Sequence, residues 1–492
     1  MTDRDYQHSR PLDIHRWSEH PEANKFVNYV YDTFLNKETW ENPRIKKKHL
    51  KVVLLDLYVA WLNDPALNIA VHMTQSAYSN GTISVKGKSR YNELNIKGST
   101  IDIVHRLYNA GLIGVKNGWQ DSGGRGFITR IWPTEKLSKL FQDAAFSEFD
   151  VGYDEVCETI ILHDEEKNEV EYDDTDDVRL MRSAVEKYNQ LLEKTFIDIK
   201  SVDKPARIDL IAGNKRKHAN RRVLVNITHH DKFTRRIFKN RSFSDGGRFY
   251  GGWWQRVDSN FRKEIRLNNS PIVEIDYSVL HVILAYSDAG IDYWQTTSKD
   301  PYDLPVRGIS NSDHCRNITK LFLQLSLNAT DKQNLFKVFR SELNYNIYPY
   351  TFPDDSLLEL LNMIKEYHPA IGHLICSGAG SRLTNIDSRI CDYVIANFVR
   401  TDTPILSVHD GFIVPIGEED RLHQLMKEAF NEITSKARIE VEYNQNLTKA
   451  RLYAHNSQHG DWFSGVFQSL FRGAPTNGYK RRLERHREHF GQ

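Results

Sequence analysis

Two aspartates stand where short apolar segments end, and either could hold a metal ion. Asp276 follows Val273 and Ile275, whose β-branched side chains are typical of a strand. Asp410 lies in His409-Asp410-Gly411 between two apolar runs, which predicts a β-hairpin with the carboxylate at its tip. Two strands that each deliver one carboxylate suggest a site for two divalent ions. Aspartates at such places also serve as helix caps, and that alternative stays open.

The elements that would position the two aspartates follow from local pattern. A helix is predicted over residues 279–286, directly after the Asp276 strand, and another over 418–436, after the hairpin. A strand is predicted over 437–443 and a helix over 383–398. A further predicted helix opens at Arg316 and runs to about residue 329. We therefore expect an α+β fold with an antiparallel sheet at its centre.

The N-terminal third has a different pattern. Helices are predicted over 49–63, 89–95 and 100–110, with Ser99 as a cap, followed by a hairpin from 112–115 and 127–132. The stretch STIDIVHRLYNAGLIGVKNGW…GRGFITRIWPT resembles the recognition helix and wing of winged helix-turn-helix proteins. That resemblance implies that Arg106 could face a DNA groove and Arg125 could reach phosphate from the hairpin tip. The alternative is a scaffold unit without DNA contact.

The central segments resemble the palm motifs of family A DNA polymerases, a superfamily that includes the single-subunit phage-type RNA polymerases. EIDYSVLHVILAY is similar to motif A, SVHDGFIVP to motif C, and the helix opening at Arg316 to motif B; Gly247-Arg248 resembles the motif that touches the template–primer backbone. The resemblance implies a right-hand palm and fingers domain and two Mg²⁺ ions, or Mn²⁺, on Asp276 and Asp410 as catalytic residues.

The same resemblance implies roles for other residues. Arg316 and Lys320, which share a helix face, would hold the triphosphate, and His409 would help to position the primer end. Further nucleotide contacts are expected from Tyr277, His281 and Asn328, and a weaker template contact from Arg382. The alternatives without a functional role are a solvated helix face for Arg316 and Lys320, a turn residue for His409 and a packing helix for Arg382.

The chain departs from the family pattern at two of these positions. His281 stands nearest to the place where the DNA polymerases carry Glu and the RNA polymerases carry Gly, and Asn328 stands where both branches have Tyr. These positions touch the nucleotide sugar and the closing base pair in the family. The choice between ribo- and deoxyribonucleotides is therefore open.

Charge is unevenly distributed although the formal net charge is only +1. Residues 213–239 carry a basic run with interleaved aromatics, which can neutralise phosphates and stack on bases; the candidate nucleic-acid contacts in it are Lys215, Arg216, Arg221 and Arg222. A solvated basic face is the alternative. The four cysteines are widely spaced, and the longest apolar stretch is too short for a bilayer, so we expect a cytoplasmic protein without a membrane partner.

These observations predict six segments. They are a flexible N-terminal segment (1–40), a winged-helix DNA-binding-like domain (41–148), an acidic hairpin with a connecting helix (149–200), a basic nucleic-acid-contacting segment (201–270), a polymerase palm and fingers (271–455) and a basic C-terminal tail (456–492). The expected function is a template-dependent nucleotidyltransferase that uses nucleoside triphosphates, in the replication of a mobile element, phage or plasmid. A single-subunit RNA polymerase or primase, and a non-catalytic DNA-binding replication initiator or regulator, are the alternatives.

Overall fold

The fold is mixed α+β, as expected, with about 49% helix and several small sheets. A computed structural model describes residues 4–35, 43–79, 89–204, 208–211, 222–257, 259–277, 279–434, 441–443 and 473–491. Two large hydrophobic cores organise these residues. One is built from residues between 23 and 151, and the other from residues between 160 and 430.

The first core lies between helices and a four-stranded sheet of order β1-β3-β7-β4. Its elements are β1 (Ser9–Pro11), β2 (Arg16–Trp17), α1 (Pro21–Val30), α2 (Pro43–Asn63), β3 (Asn68–Val71), α3 (Gln75–Ser79), α4 (Ser99–Asn109), β4 (Ile113–Lys116), β5 (Trp119–Gln120), β6 (Gly126–Phe127), β7 (Thr129–Pro133) and α5 (Glu135–Gln142). The predicted helices and hairpin strands are present, but α2 begins six residues before the predicted start at residue 49, and the predicted 89–95 helix is one 3₁₀ turn, Arg90–Asn92. Ser99 is the first residue of α4 and Gly98 is its cap, so the predicted cap is wrong by one residue. The assignment to the winged-helix superfamily stays a prediction.

Residues 4–35 differ from the expected flexible segment. β1 pairs in parallel with β3, and α1 buries Ala23, Val27 and Val30 in the first core. These three residues recur at helical spacing and so form one apolar stripe. The strand partners lie about 60 residues away in sequence or further, as the pairing of Ser9 with Asn68 illustrates, so local pattern could not reveal this order.

The middle of the chain links the two cores. Its elements are β8 (Gly152–Tyr153), β9 (Ile160–Leu162), α6 (Asp176–Lys194), β10 (Ile197–Ile199), β11 (Ile208–Ile211), β12 (Arg222–Val225), β13 (Arg235–Lys239), β14 (Ser242–Tyr250), α7 (Ser259–Arg262) and β15 (Ile265–Leu267). The predicted return strand of the acidic hairpin is replaced by an isolated bridge between His163 and Glu169. β9 instead pairs in parallel with β13 and forms the edge of a three-stranded sheet of order β14-β13-β9.

The second core surrounds a four-stranded sheet of order β17-β18-β16-β19. The elements of this part are β16 (Ile272–Tyr277), α8 (Leu280–Asp288), α9 (Tyr293–Thr296), α10 (Ser312–Asn328), α11 (Lys332–Glu342), α12 (Asp354–Tyr367), α13 (Gly380–Val399), β17 (Leu406–Val408), β18 (Gly411–Pro415), α14 (Glu419–Thr434), β19 (Val441–Tyr443) and α15 (Asn477–Phe490). The antiparallel sheet and the predicted helices of this region are confirmed, with ends shifted by up to four residues.

Helix α13 is the central support of this part. It packs against β14, α14, α8, α6 and α10. Its apolar stripe includes Leu383, Ile390, Val394 and Phe398, all fully or almost fully buried. Helical spacing places these side chains on one face, so burial of that face fixes the helix against the sheet layer.

Truncation of this stripe should destabilise the fold. Leu383 is fully buried, so Leu383→Ala should lower the free energy of unfolding by about 2–5 kcal/mol through lost burial and a cavity. Urea denaturation followed by tryptophan fluorescence measures this. Leu180→Ala, at a side chain that is 70% exposed, is the matched control and should change stability by less than about 0.5 kcal/mol. Equal effects of the two variants would contradict the central role of α13.

Candidate active site

The pairing of β16 with β18 brings the two predicted aspartates to one end of the sheet. The antiparallel register sets Asp276 opposite Gly411, the residue that follows Asp410. Asp410 lies in the tight turn between β17 and β18, and His409 in the same turn is exposed with a left-handed φ of 54°. The hairpin that the sequence predicted is present, and Asp410 is at its tip.

Gly411 leaves the space that the Asp276 carboxylate needs. A Cβ at this position would overlap Asp276 Oδ1 and would lie 3.0 Å from the Ile275 carbonyl oxygen. The side chain of Asp276 therefore lies directly over the backbone of the hairpin tip. Glycine allows this close approach of two strands.

Asp276 lies among other acids. It is solvent-accessible, yet partial burial together with the negative charges of Glu274 and Asp410 raises its pKa to about 7. Arg262 and Lys320 act in the opposite direction. The two predicted aspartates thus interact with each other and with Lys320, the predicted triphosphate ligand.

Glu274 is a third carboxylate of this region, two residues before Asp276 on the same strand. It is buried and accepts hydrogen bonds from Arg262 at 2.7 and 3.3 Å. Residues two apart on a strand share a face, so Glu274 and Asp276 both face this side of the sheet. The ion pair with Arg262 neutralises Glu274 and holds it beside the candidate site.

A second ion pair lies within electrostatic reach of Asp410. Arg248 donates to the buried Asp387 of α13 at 2.5 Å, and its Nη2 lies 3.3 Å from Nε2 of His281. Burial raises the pKa of Asp387 to about 6, opposed by Arg248 and reinforced by Asp410. Burial and the neighbouring Arg248 lower the pKa of His281 to about 4, so His281 is neutral at pH 7.

Gly247 and Arg236 join β13 and β14 to α13. Gly247 has a φ of 90°, and a Cβ there would lie 2.8 Å from the Ser388 hydroxyl, so the strand and the helix touch. Arg236, which is 2% exposed, donates to the Gly247 carbonyl, to Ser388 and to Asp392. Gly247 thus lies directly against a helix of this chain. The side chain of the next residue, Arg248, is 20% exposed.

Arg316 and Lys320 lie one turn apart on α10, as predicted. Arg316 is paired with Asp300 at 2.6 Å, whereas Lys320 is exposed and its Nζ lies 5.9 Å from the ring centre of the buried Tyr302. The pKa of Asp276 responds to Lys320, so this ammonium group is within electrostatic reach of the carboxylates. An exposed ammonium beside a carboxylate cluster can bind a polyphosphate.

Three of the predicted nucleotide or template residues have partners within this chain. Tyr277 is buried and donates to the Met426 carbonyl at 2.6 Å, because neighbouring residues of a strand point to opposite faces. Arg382 makes a bidentate pair with Asp288 that ties α13 to α8. Asn328 is exposed at the end of α10, and its side chain fills the space beside Gly380.

Two of the predicted contacts outside the sheet, Arg106 and Arg125, lie in the N-terminal part of the chain. Arg106 pairs with Asp102 one turn earlier on α4, and Arg125 is exposed between β5 and β6, where it packs on Phe127. Lys215, Arg216 and Arg221 lie outside the described residues. For Arg222 the backbone alone is described, in β12.

Sequence reasoning missed Glu274, Arg262 and Asp387. The period-two alternation of β16 could have indicated Glu274. Asp387 lies four residues after Leu383 and four before Cys391, in the middle of an apolar helix face, which is an unusual place for an acid. No local signal indicated Arg262, since its partner lies on another element.

The donor set fits a divalent metal ion. Asp276 and Asp410 offer oxygen atoms from two backbone segments that the sheet holds together, and their mutual repulsion raises the pKa of Asp276. A cation between such carboxylates removes this repulsion, and carboxylate oxygens are the ligands that Mg²⁺ and Mn²⁺ take.

Two comparisons with known sequences were made. No protein-family model matches the sequence, and no curated protein is significantly similar to it. Among the described residues, the structure has no helix of the length and apolar character needed to cross a membrane.

A methyl group on Gly411 should disrupt the candidate site more than the fold. Gly411→Ala should displace the Asp276 carboxylate and strain the strand pair, because the added Cβ overlaps Oδ1 and crowds the Ile275 carbonyl. We expect weakened Mg²⁺ binding, measured by calorimetry, with a modest fall in melting temperature. Gly417→Ala, where the space is open but φ is 104°, controls for backbone strain alone and should leave Mg²⁺ binding unchanged. Unaltered Mg²⁺ binding by Gly411→Ala would contradict the close approach.

The raised pKa of Asp276 predicts a pH-dependent stability. The folded protein retains this proton up to about pH 7, whereas the unfolded chain loses it near 3.8, so stability falls as the pH rises through this window. Asp276→Asn removes the effect. In EDTA, its melting temperature should exceed that of the wild type by a margin that widens from about pH 4 to about pH 8. Asp355→Asn, at an exposed acid, is the control; a constant margin for Asp276→Asn would refute the raised pKa.

Proposed function

We propose that the protein is a template-dependent nucleotidyltransferase: a family A-like DNA polymerase, a class in which we include primase-polymerases, that adds nucleotides to a 3′-hydroxyl. The observation that supports this most is the pairing of Asp276 with Gly411, which sets a strand carboxylate against the tip that carries Asp410. The order of the motif-like segments along the chain, from Gly247-Arg248 to Asp410, supports the same family.

The proposed mechanism assigns each side chain a separate task. Asp276 and Asp410 would hold the metal ions, and Lys320, which interacts electrostatically with Asp276, would bind the triphosphate. Divalent magnesium, when bound, supplies activation of the 3′-hydroxyl and charge stabilisation of the leaving pyrophosphate. Arg248, held by Asp387 at its inner edge, would offer its exposed edge to the template–primer backbone.

His281 is the residue of greatest interest for sugar choice. It is neutral at pH 7 and lies against Arg248, so it occupies its position as a bulky, uncharged group. A bulky group there would exclude a ribose 2′-hydroxyl and so favours deoxyribonucleotides. The His409-Asp410-Gly411-Phe412 sequence resembles the RNA-synthesising branch, so a single-subunit RNA polymerase or primase is the second candidate.

The N-terminal part would supply recognition of DNA or of a partner. The exposed Arg125 between β5 and β6 supports a contact with phosphate. Within this proposal, the chain joins site recognition to synthesis, as replication of a mobile element, phage or plasmid requires, in the cytoplasm. A replication initiator or regulator without catalysis is the alternative that activity measurements must exclude.

The decisive experiment is nucleotide incorporation by the purified full chain. Primed and unprimed DNA templates are offered with Mg²⁺ and with ribo- or deoxyribonucleotides separately, and products are sized. Asp276→Asn and Asp410→Asn should each reduce incorporation at least about 100-fold, because a lost metal ligand removes several kcal/mol of transition-state stabilisation. Asp355→Asn should retain wild-type activity.

Two results would overturn the proposal. One is a folded wild-type protein that incorporates neither kind of nucleotide on any template, which would favour the non-catalytic initiator. The other is incorporation that survives in Asp410→Asn. Preference for ribonucleotides would instead select the RNA-synthesising candidate.

A further inference from the structure

Three side chains with metal-binding atoms meet at the junction between the two cores. His15 precedes β2, Glu93 follows the 3₁₀ turn Arg90–Asn92, and Cys157 precedes β9. The Nδ1 atom of His15 lies 3.0 Å from each carboxylate oxygen of Glu93. One donor atom from each of the three residues lies within 4.8 Å of the other two.

The donor types and their spacing fit zinc. Zn²⁺ binds imidazole nitrogen, carboxylate oxygen and thiolate sulfur, and bond lengths of about 2.0–2.3 Å in a tetrahedron place donor atoms about 3.3–3.8 Å apart. The observed separations reach these values with side-chain adjustments of less than about 1 Å. Sulfur and nitrogen donors select Zn²⁺ over the Mg²⁺ that carboxylates alone would take.

The surroundings hold the sulfur in place. Arg235 donates to Cys157 Sγ at 3.4 Å, and a hydrogen bond of this kind orients a metal ligand. Glu93 and Cys157 are buried at the side chain, whereas His15 is 21% exposed, which leaves an approach for an ion. Water can take the fourth coordination position.

We propose that His15, Glu93 and Cys157 form a structural Zn²⁺ site that joins the N-terminal part of the chain to the sheet beside the candidate active site. Cys157 leads into β9, and β9 pairs with β13, which carries Arg236 and so contacts Gly247. His15 and Glu93 belong to the part built on the first core and its neighbouring cluster around Val52, Leu94 and Ile96. This site is independent of the proposed polymerase activity.

Metal content of the purified full chain tests the proposal. After expression with Zn²⁺ and dialysis against metal-free buffer, the wild type should retain one Zn²⁺ per chain by mass spectrometry. Co²⁺ substitution should give a thiolate charge-transfer band and tetrahedral visible bands. Cys157→Ser and Glu93→Gln should lose the retained Zn²⁺, and the Cys157→Ser protein should lack the charge-transfer band.

Two controls separate this site from other cysteines and carboxylates. Cys376→Ser removes a thiol far from His15 in the chain and should retain the full zinc content. The double variant Asp276→Asn/Asp410→Asn should also retain it, which would distinguish the site from the candidate active site. If Cys157→Ser does not fold, the wild-type Co²⁺ spectrum and the Glu93→Gln zinc content decide.

Three results would overturn the zinc site. They are a wild type that retains no stoichiometric Zn²⁺, a Co²⁺ form without a thiolate band, and a folded Cys157→Ser protein with undiminished zinc content. A metal-dependent rise in melting temperature, present in the wild type and absent in Glu93→Gln, is the expected stability counterpart.

Discussion

The pairing of β16 with β18 is the constraint on which the candidate site depends. It fixes Asp276 over the glycine next to Asp410, so that two acids more than 130 residues apart in sequence share one end of a sheet. Backbone hydrogen bonds hold this register, and a slip by one residue would send Asp276 to the opposite face. A slip would also move the buried Ile275 to the face that carries Glu274 and Asp276, where its apolar packing is lost.

Charge at this end of the sheet is balanced by separate pairs. Glu274 forms an ion pair with Arg262, and Asp387 forms one with Arg248. The pKa of Asp276 is instead raised by partial burial and by the charges of Glu274 and Asp410. Paired acids keep their hydrogen-bond partners and their places. Among the acids described here, Asp276 and Asp410 are those without an arginine partner in the described contacts, so an added cation would act on them most strongly.

The sequence predicted those features that depend on local pattern. The strand before Asp276, the hairpin around Asp410 and helices α10 and α13 are set by alternation, turn residues and helical spacing, so their positions were correct within a few residues. The ion pair between Arg382 and Asp288 depends on packing of distant helices and could not be read from neighbours in the chain. Tyr277 was predicted to contact the nucleotide because of the motif resemblance. The alternation of side chains along β16 instead turns its ring away from Asp276 and into the core, where its hydroxyl group donates to the Met426 carbonyl. The pairing of β1 with β3 was missed because its information is non-local.

Arg236 holds strand β14 and helix α13 together. Its buried guanidinium bonds to the Gly247 carbonyl on β14 and to Ser388 and Asp392 on α13, so strand and helix form one stiff unit. Separating them would strand a cation in an apolar interior, a costly event. Helix α10, which carries the exposed Lys320, also packs against α13. The place of Lys320 relative to the two aspartates therefore depends on the same helix that Arg236 holds against β14.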